Sequence, residues 1–182
     1  MILIIDMCYK RESLSKNEFV DPVVDIVSCK KSYIVKHFLE LKEEDIFRAE
    51  KIILCGTALK DNGFMNHIEK FYWIRDTEKY ILGICAGMEV ISLVFGGKLR
   101  KETEIGMREI NVRIDDPLFE GRKNFSAYEL HNYSVDKLDQ FLILAESENS
   151  IQAIRHREKK IYGVMFHPEV RNKKIISTFV DL

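Results

Sequence analysis

Three short runs in the first half of the chain, MILIID (1–6), KIILCG (51–56) and YILGI (80–84), are apolar at almost every position. A strand with one face in water alternates apolar and polar residues. A run that does not alternate is covered on both faces, as in a parallel sheet sandwiched by helices. Helix signals fall between these runs. Asp21-Pro22 reads as an N-cap followed by proline at the first helical position, and Val23, Val24, Ile26 and Val27 supply an apolar face. SYIVKHF (32–38) has strand composition. Phe64, Ile68, Phe71 and Tyr72 stand at helical spacing within 64–74, and Met88, Ile91, Val94 and Phe95 mark one side of a helix after YILGI. The pattern predicts a three-layer α/β fold, with a mostly parallel central sheet and helices on both faces.

The second half reads differently. Short strands at 107–114, 125–130, 141–146, 151–156 and 161–166 have little helix between them and predict an antiparallel extension of the sheet. A last helix over roughly 172–181 closes the fold. Residues 7–20 are polar and aperiodic and read as a long loop. The basic cluster at 156–160 contains an acid, lies between two apolar runs, and reads as a solvated hairpin turn. A chain of 182 residues with no linker or repeat is expected to form one domain, 1–182.

Composition narrows the function classes. Hydrophobic residues at 46% and charged residues at 31% exclude a disordered chain. A net charge of −1 leaves no basic footprint for nucleic acid or an anionic membrane surface. No apolar run is long enough to span a bilayer, and MILIID, short and ending at Asp6, reads as a buried strand and not a leader. Cys8, Cys29, Cys55 and Cys85 show no CxxC spacing, so neither zinc nor a redox pair is indicated, and no other metal or cofactor motif is present. They read as reduced thiols in a cytoplasmic protein.

Gly83-Ile84-Cys85-Ala86-Gly87 joins the strand YILGI to the helix after it. The form is that of a nucleophile elbow, with cysteine in place of serine. Side chains two residues to either side would collide with the neighbouring strand and helix, so glycine stands at both positions. The turn aims the thiol at a helix N-terminus, where unpaired N–H groups favour thiolate. A thiolate nucleophile also needs a base. His37 and His67 fall within predicted elements and are assigned to packing or to the surface. His167 follows the strand ending at Phe166, and Pro168 disfavours helix at that position. Residues i and i+2 of an extended segment project to the same side, so Glu169 can hold one imidazole nitrogen and leave the other for the thiol.

Together, ILGICAGMEVI and YGVMFHPEV resemble the Gly-x-Cys-x-Gly elbow and the Gly-Val-Gln-Phe-His-Pro-Glu segment of the class I glutamine amidotransferases. Phe95-Gly96-Gly97-Lys98 and Glu104-Ile105-Gly106 also fall where that family has similar residues. The resemblance runs from MILIID to the last helix. It implies a Cys85–His167–Glu169 triad that hydrolyses glutamine through a glutamyl thioester, without a cofactor. It also implies an oxyanion hole from the N–H of Ala86 and from the Gly56–Thr57 loop, with Glu89, Asn132 and Tyr133 at the substrate. It implies further that the ammonia goes to a synthetase subunit in a separate chain. Within the family the motif set looks most like the glutaminase subunit of a two-subunit GMP synthase. Glutaminase components of anthranilate and aminodeoxychorismate synthases are alternatives, as are a standalone γ-glutamyl hydrolase and a non-catalytic regulatory homologue.

Three positions depart from the family pattern. The family's Gly-Gly-Pro after the third strand is Gly56-Thr57-Ala58 here, so Thr57 is expected to strain where glycine would not. Its usual Gln four residues after the cysteine is Glu89. An ionised carboxylate there could not donate a hydrogen bond and would repel a substrate carboxylate. Met165 replaces another Gln.

Overall fold

The structure, a computed structural model, describes all 182 residues. It contains one sheet of nine strands: β1 (Ile2–Asp6), β2 (Tyr33–His37), β3 (Lys51–Leu54), β4 (Tyr80–Ile84), β5 (Lys98–Val112), β6 (Asn124–Asp136), β7 (Phe141–Glu146), β8 (Ile151–His156) and β9 (Ile161–Val164). Their spatial order is β2-β1-β3-β4-β9-β8-β7-β5-β6. The first five are mutually parallel, and β8, β7, β5 and β6 follow antiparallel. Every residue of β1 and β9 is buried, and β9, expected within the antiparallel extension, instead lies parallel beside β4, covered on both faces. No helix is long and apolar enough to cross a membrane.

Five α-helices cover the sheet: α1 (Ser15–Phe19), α2 (Asp21–Ser28), α3 (Glu43–Arg48), α4 (Ala86–Val94) and α5 (Lys174–Asp181). The crossover from β1 to β2 runs one way along the sheet and that from β3 to β4 runs the other. Right-handed crossovers in opposite directions put their connections on opposite faces. Accordingly α2 packs with α5, while the segment Gly63–Arg75 packs with α4. The carboxyl ends of β3, β4 and β9 lie side by side, where ligands of such sheets bind.

Several expectations needed correction. The stretch 7–20 is not all loop, because α1 occupies Ser15–Phe19 and runs almost directly into α2. Asp21 is therefore not an N-cap. Val20 precedes α2 in helical conformation, and the burial of Phe19 and Val20 holds the chain against the core at that junction. Residues 63–75 form 3-10 turns broken at His67, not an α-helix. A three-residue repeat buries Phe71 and Ile74 and leaves Tyr72 46% exposed. Strands β5 and β6 are far longer than their apolar cores, because residues 98–106 pair with β6 alone as a mostly exposed ribbon, and β5 pairs with β7 only at Asn111 and Val112. The helix α3 has no buried residue, so no apolar period announced it; its acidic first turn and Arg48 in the last complement the helix dipole.

The close seating of α4 on β3 and β4 rests on two glycines. A Cβ at Gly83 would lie 2.5 Å from the Gly87 carbonyl, and one at Gly87 would lie 2.5 Å from the Leu54 carbonyl oxygen. Both obstacles are backbone and cannot step aside. Gly87→Ala is expected to destabilise the chain by about 1–3 kcal/mol or more, read as a lower denaturation midpoint. An unchanged midpoint would show that α4 does not sit as described.

Candidate active site

Cys85 occupies the corner between β4 and α4 with φ +48° and ψ −104°. A non-glycine residue in that region is strained by about 1–3 kcal/mol and persists only where its surroundings over-determine it. Here the Cys85 N–H donates to the Val164 carbonyl at 2.8 Å, and its own carbonyl accepts from the Glu89 N–H at 3.0 Å. The strand β9 and the first turn of α4 thus hold the corner from both sides. Ala86 is the first residue of α4, in the turn whose N–H groups have no helical acceptor.

His167 lies three residues past β9. Its N–H donates to the Tyr128 carbonyl at 2.9 Å, and its Nδ1 is 2.7 Å from Glu169 Oε1. The i, i+2 geometry expected of His-Pro-Glu is therefore present. The ring stands 5.4 Å from that of Phe19, so the 7–20 segment packs over the imidazole. On its other side the ring leans on Gly56: a Cβ there would lie 2.7 Å from His167 Cε1 and 3.6 Å from Cys85 Cβ. Gly56 is thus the gap in which imidazole and thiol meet. It backs the pair and does not line the cleft in front of it. His167 Nε2 has no hydrogen-bond partner, and Cys85 Sγ lies 3.7 Å from the Leu130 carbonyl.

Charge in this pair is set by opposing effects. Burial raises the Cys85 thiol, and the imidazole beside it offsets only part of that rise, so the thiol stays above its ordinary value. Burial disfavours charge on His167, but the Glu169 carboxylate and the Cys85 sulfur outweigh it and hold the imidazole well above its ordinary range. A buried imidazole that readily accepts a proton next to a buried thiol can generate thiolate on demand.

In front of the thiol lies a cleft of about 20 Å³ lined by Thr57, Asp61, Phe64, Cys85, Ala86, Glu89 and residues 130–133. Ligand pockets more often measure about 300–1,000 Å³, whereas this one is nearly closed, with room for about one water. The structure thereby brings Thr57, Ala86, Glu89, Asn132 and Tyr133 together around Cys85, with His167 and Glu169 behind it. Thr57 has no positive φ, so the strain expected there is absent. Its hydroxyl donates to Asp61 Oδ2 at 2.7 Å. Asn132 reaches across the cleft: its Nδ2 donates to the Leu59 carbonyl at 2.9 Å, and its Oδ1 accepts from Thr103 Oγ1 at 3.2 Å. Glu89 is only 4% exposed, and burial lifts its carboxyl to about 8. The carboxylate charge expected at this position is therefore largely suppressed at pH 7.

Three contributors escaped the sequence reading. Asp61 orders the Thr57 loop, but a lone acid in a polar loop carries no signal. Phe19 is visible only as one of two apolar residues ending a polar stretch. Glu104, Glu129 and His131 form a buried cluster, His131 Nε2 lying 3.4 Å and 3.3 Å from the two carboxylates. Alternate positions on β6 could have been read as one face, but nothing in the sequence pairs them with β5.

Residues 24–180 match the family model described as Glutamine amidotransferase class-I. The chain is 41% identical over 145 residues to a Pyrococcus abyssi protein named as one subunit of a glutamine-hydrolyzing GMP synthase, covering 76% of each chain. It is 45% identical over 110 residues to the glutamine-hydrolyzing GMP synthase of Thermosipho africanus, covering 56% of this chain and 21% of that one. The chain thus spans about a fifth of the length of that longer relative. Among solved structures, a glutamine amidotransferase of Thermotoga maritima superimposes with a TM-score of 0.73 at 20% identity, over 99% of this chain and 80% of that chain.

Glu169→Gln removes the charge that sustains the His167 proton while keeping the shape of the side chain. The His167 titration, followed by NMR of the imidazole, is expected to move to lower pH, and alkylation of Cys85 at pH 7 to slow. An imidazole titration that stays in place would show that Glu169 does not support it.

Proposed function

The chain belongs to the class I glutamine amidotransferase family, and on that premise we propose that it hydrolyses glutamine to glutamate and ammonia through Cys85, His167 and Glu169. The single observation that carries this reading is the buried Glu169–His167 pair standing against a thiol on a strained corner. Cys85 attacks the side-chain carboxamide carbon of glutamine. His167 takes the thiol proton and later delivers it to the departing ammonia, while Glu169 holds the ring and balances its charge. The resulting glutamyl thioester is opened by water, which His167 deprotonates, and glutamate leaves.

The negative oxygen that forms at each attack needs donors fixed in advance. The N–H of Ala86, at the start of α4, is one, and the loop Gly56–Thr57 supplies the other. Loss of one such donor costs about 3–4 kcal/mol of transition-state stabilisation. Thr57 suits this task without glycine because its backbone is unstrained and its hydroxyl is tied to Asp61. Glu89, Asn132 and Tyr133 line the path of the amino-acid portion.

The chain acts in this reading as one glutaminase domain, 1–182. The ammonia passes to a separate synthetase subunit, as in a two-subunit GMP synthase. The names of its relatives support that assignment, since the Pyrococcus abyssi protein is itself named as one GMP synthase subunit, and the match spans three quarters of both chains. Glutamate release is to be measured with the chain alone and with the synthetase subunit of a GMP synthase. Release is expected to rise with that subunit. Cys85→Ala is expected to lower it by about four orders of magnitude or more. Release that survives the substitution would remove Cys85 from its role.

A further inference from the structure

Glu89 lies on α4 four residues after the thiol, so one helical turn separates the two side chains. It lines the cleft, yet no hydrogen bond and no charge compensates its burial. The surroundings explain why. On α4 itself the neighbouring ionisable group is Cys85. From the loop after β3 comes Asp61, already accepting from Thr57 Oγ1 and the Gly63 N–H. From β6 come His131 and Tyr133; His131 lies between Glu104 of β5 and Glu129, its Nε2 3.4 Å and 3.3 Å from them, and makes no hydrogen bond to Glu89. The 3-10 segment offers Phe64 to the cleft; its His67 pairs with Glu69, and its Arg75 donates to the Val94 carbonyl at the far end of α4. Strands β3, β4 and β9 turn apolar residues and glycine toward α4, Gly83 and Gly163 lying against Ile91 and Met88, while Lys51 and Tyr162 of these strands lie against Phe179 of α5. The start of α4 favours an anion, but without a cation or donor a carboxylate this deeply buried is better off neutral.

We infer that Glu89 works as an un-ionised acid, donating its O–H to an oxygen of the bound substrate, so that the cleft accepts an α-amino-acid amide only while Glu89 holds its proton. This rests on the glutaminase reading and adds to it the residue that sets the charge the cleft tolerates. A protonated carboxyl offers one donor and one acceptor, as a carboxamide does. With Glu89 neutral, Asp61 is the one carboxylate lining the cleft. With Glu89 ionised there are two, and a substrate that carries its own carboxylate meets repulsion and finds no donor.

The dependence on pH follows in sign. Below about 8 Glu89 is protonated and binding is competent; above it the competent fraction falls. Apparent affinity scales with that fraction, so it weakens about tenfold between pH 7 and pH 9.

The test uses the full chain and a diazoketone analogue of glutamine that alkylates the nucleophile. Inactivation is followed at rising analogue concentrations from pH 6.5 to 9.5, separating the half-saturating concentration from the limiting rate. In the unsubstituted chain the half-saturating concentration is expected to climb about tenfold from pH 7 to 9. Glu89→Gln, which cannot ionise, is expected to flatten that rise. Carbon NMR of the Glu89 carboxyl in the unsubstituted chain should show a midpoint near 8. Identical profiles for both chains, or a carboxyl that titrates in the ordinary range, would overturn the inference while leaving the triad standing. If Cys85 takes no label at any pH, the glutaminase reading fails, and this inference with it.

Discussion

One strained residue organises this molecule. Cys85 holds a backbone shape that side-chain-bearing residues rarely adopt, and it does so because β4 and α4 approach too closely for any gentler turn. That closeness exists because Gly83 and Gly87 have no side chains to separate helix from strand. The hydrogen bond from Cys85 to Val164 then ties the corner to β9, the strand that leads into His167. Neighbouring parallel strands thus deliver the thiol and its imidazole to the same edge of the sheet. Gly56, at the end of β3, completes the arrangement by leaving room for the ring.

Electrostatics at this edge is a contest between burial and partnership. His167 is fully buried, which opposes its charge, and Glu169 reverses the outcome. Glu89 is almost as buried, has no partner, and stays neutral. The same amino acid is therefore a charge support at one position and a neutral donor at another. The difference lies in the neighbour: an imidazole at 2.7 Å for Glu169, a cleft for Glu89.

Much of this was legible in the sequence. Unbroken apolar runs located β1, β3 and β4, because a strand covered on both faces must be apolar on both, whereas β9 was read with the antiparallel extension and its parallel place beside β4 was missed. The elbow and the His-Pro-Glu segment were readable for local reasons, a glycine pattern and an i, i+2 projection. What escaped reading depends on distant contacts. The exposed ribbon of β5 and β6 buries too little to leave an apolar pattern, and α3 buries nothing. The strain expected at Thr57 was inferred from a glycine preference, but Thr57 has no positive φ, and its hydroxyl is tied to Asp61. The charge expected at Glu89 was inferred from its free acidity, whereas its acidity is set by burial, which residue order does not display.

The central claim is that the thiol on this corner becomes covalently bound to the glutamyl group during turnover. Rapid acid quenching of the chain mixed with glutamine and the synthetase subunit, followed by intact-mass and peptide mapping, tests it most directly. A transient glutamyl adduct is expected on the peptide containing Cys85, appearing before glutamate accumulates. Glutamate formation with no adduct at any quench time, or an adduct on another residue, would contradict it.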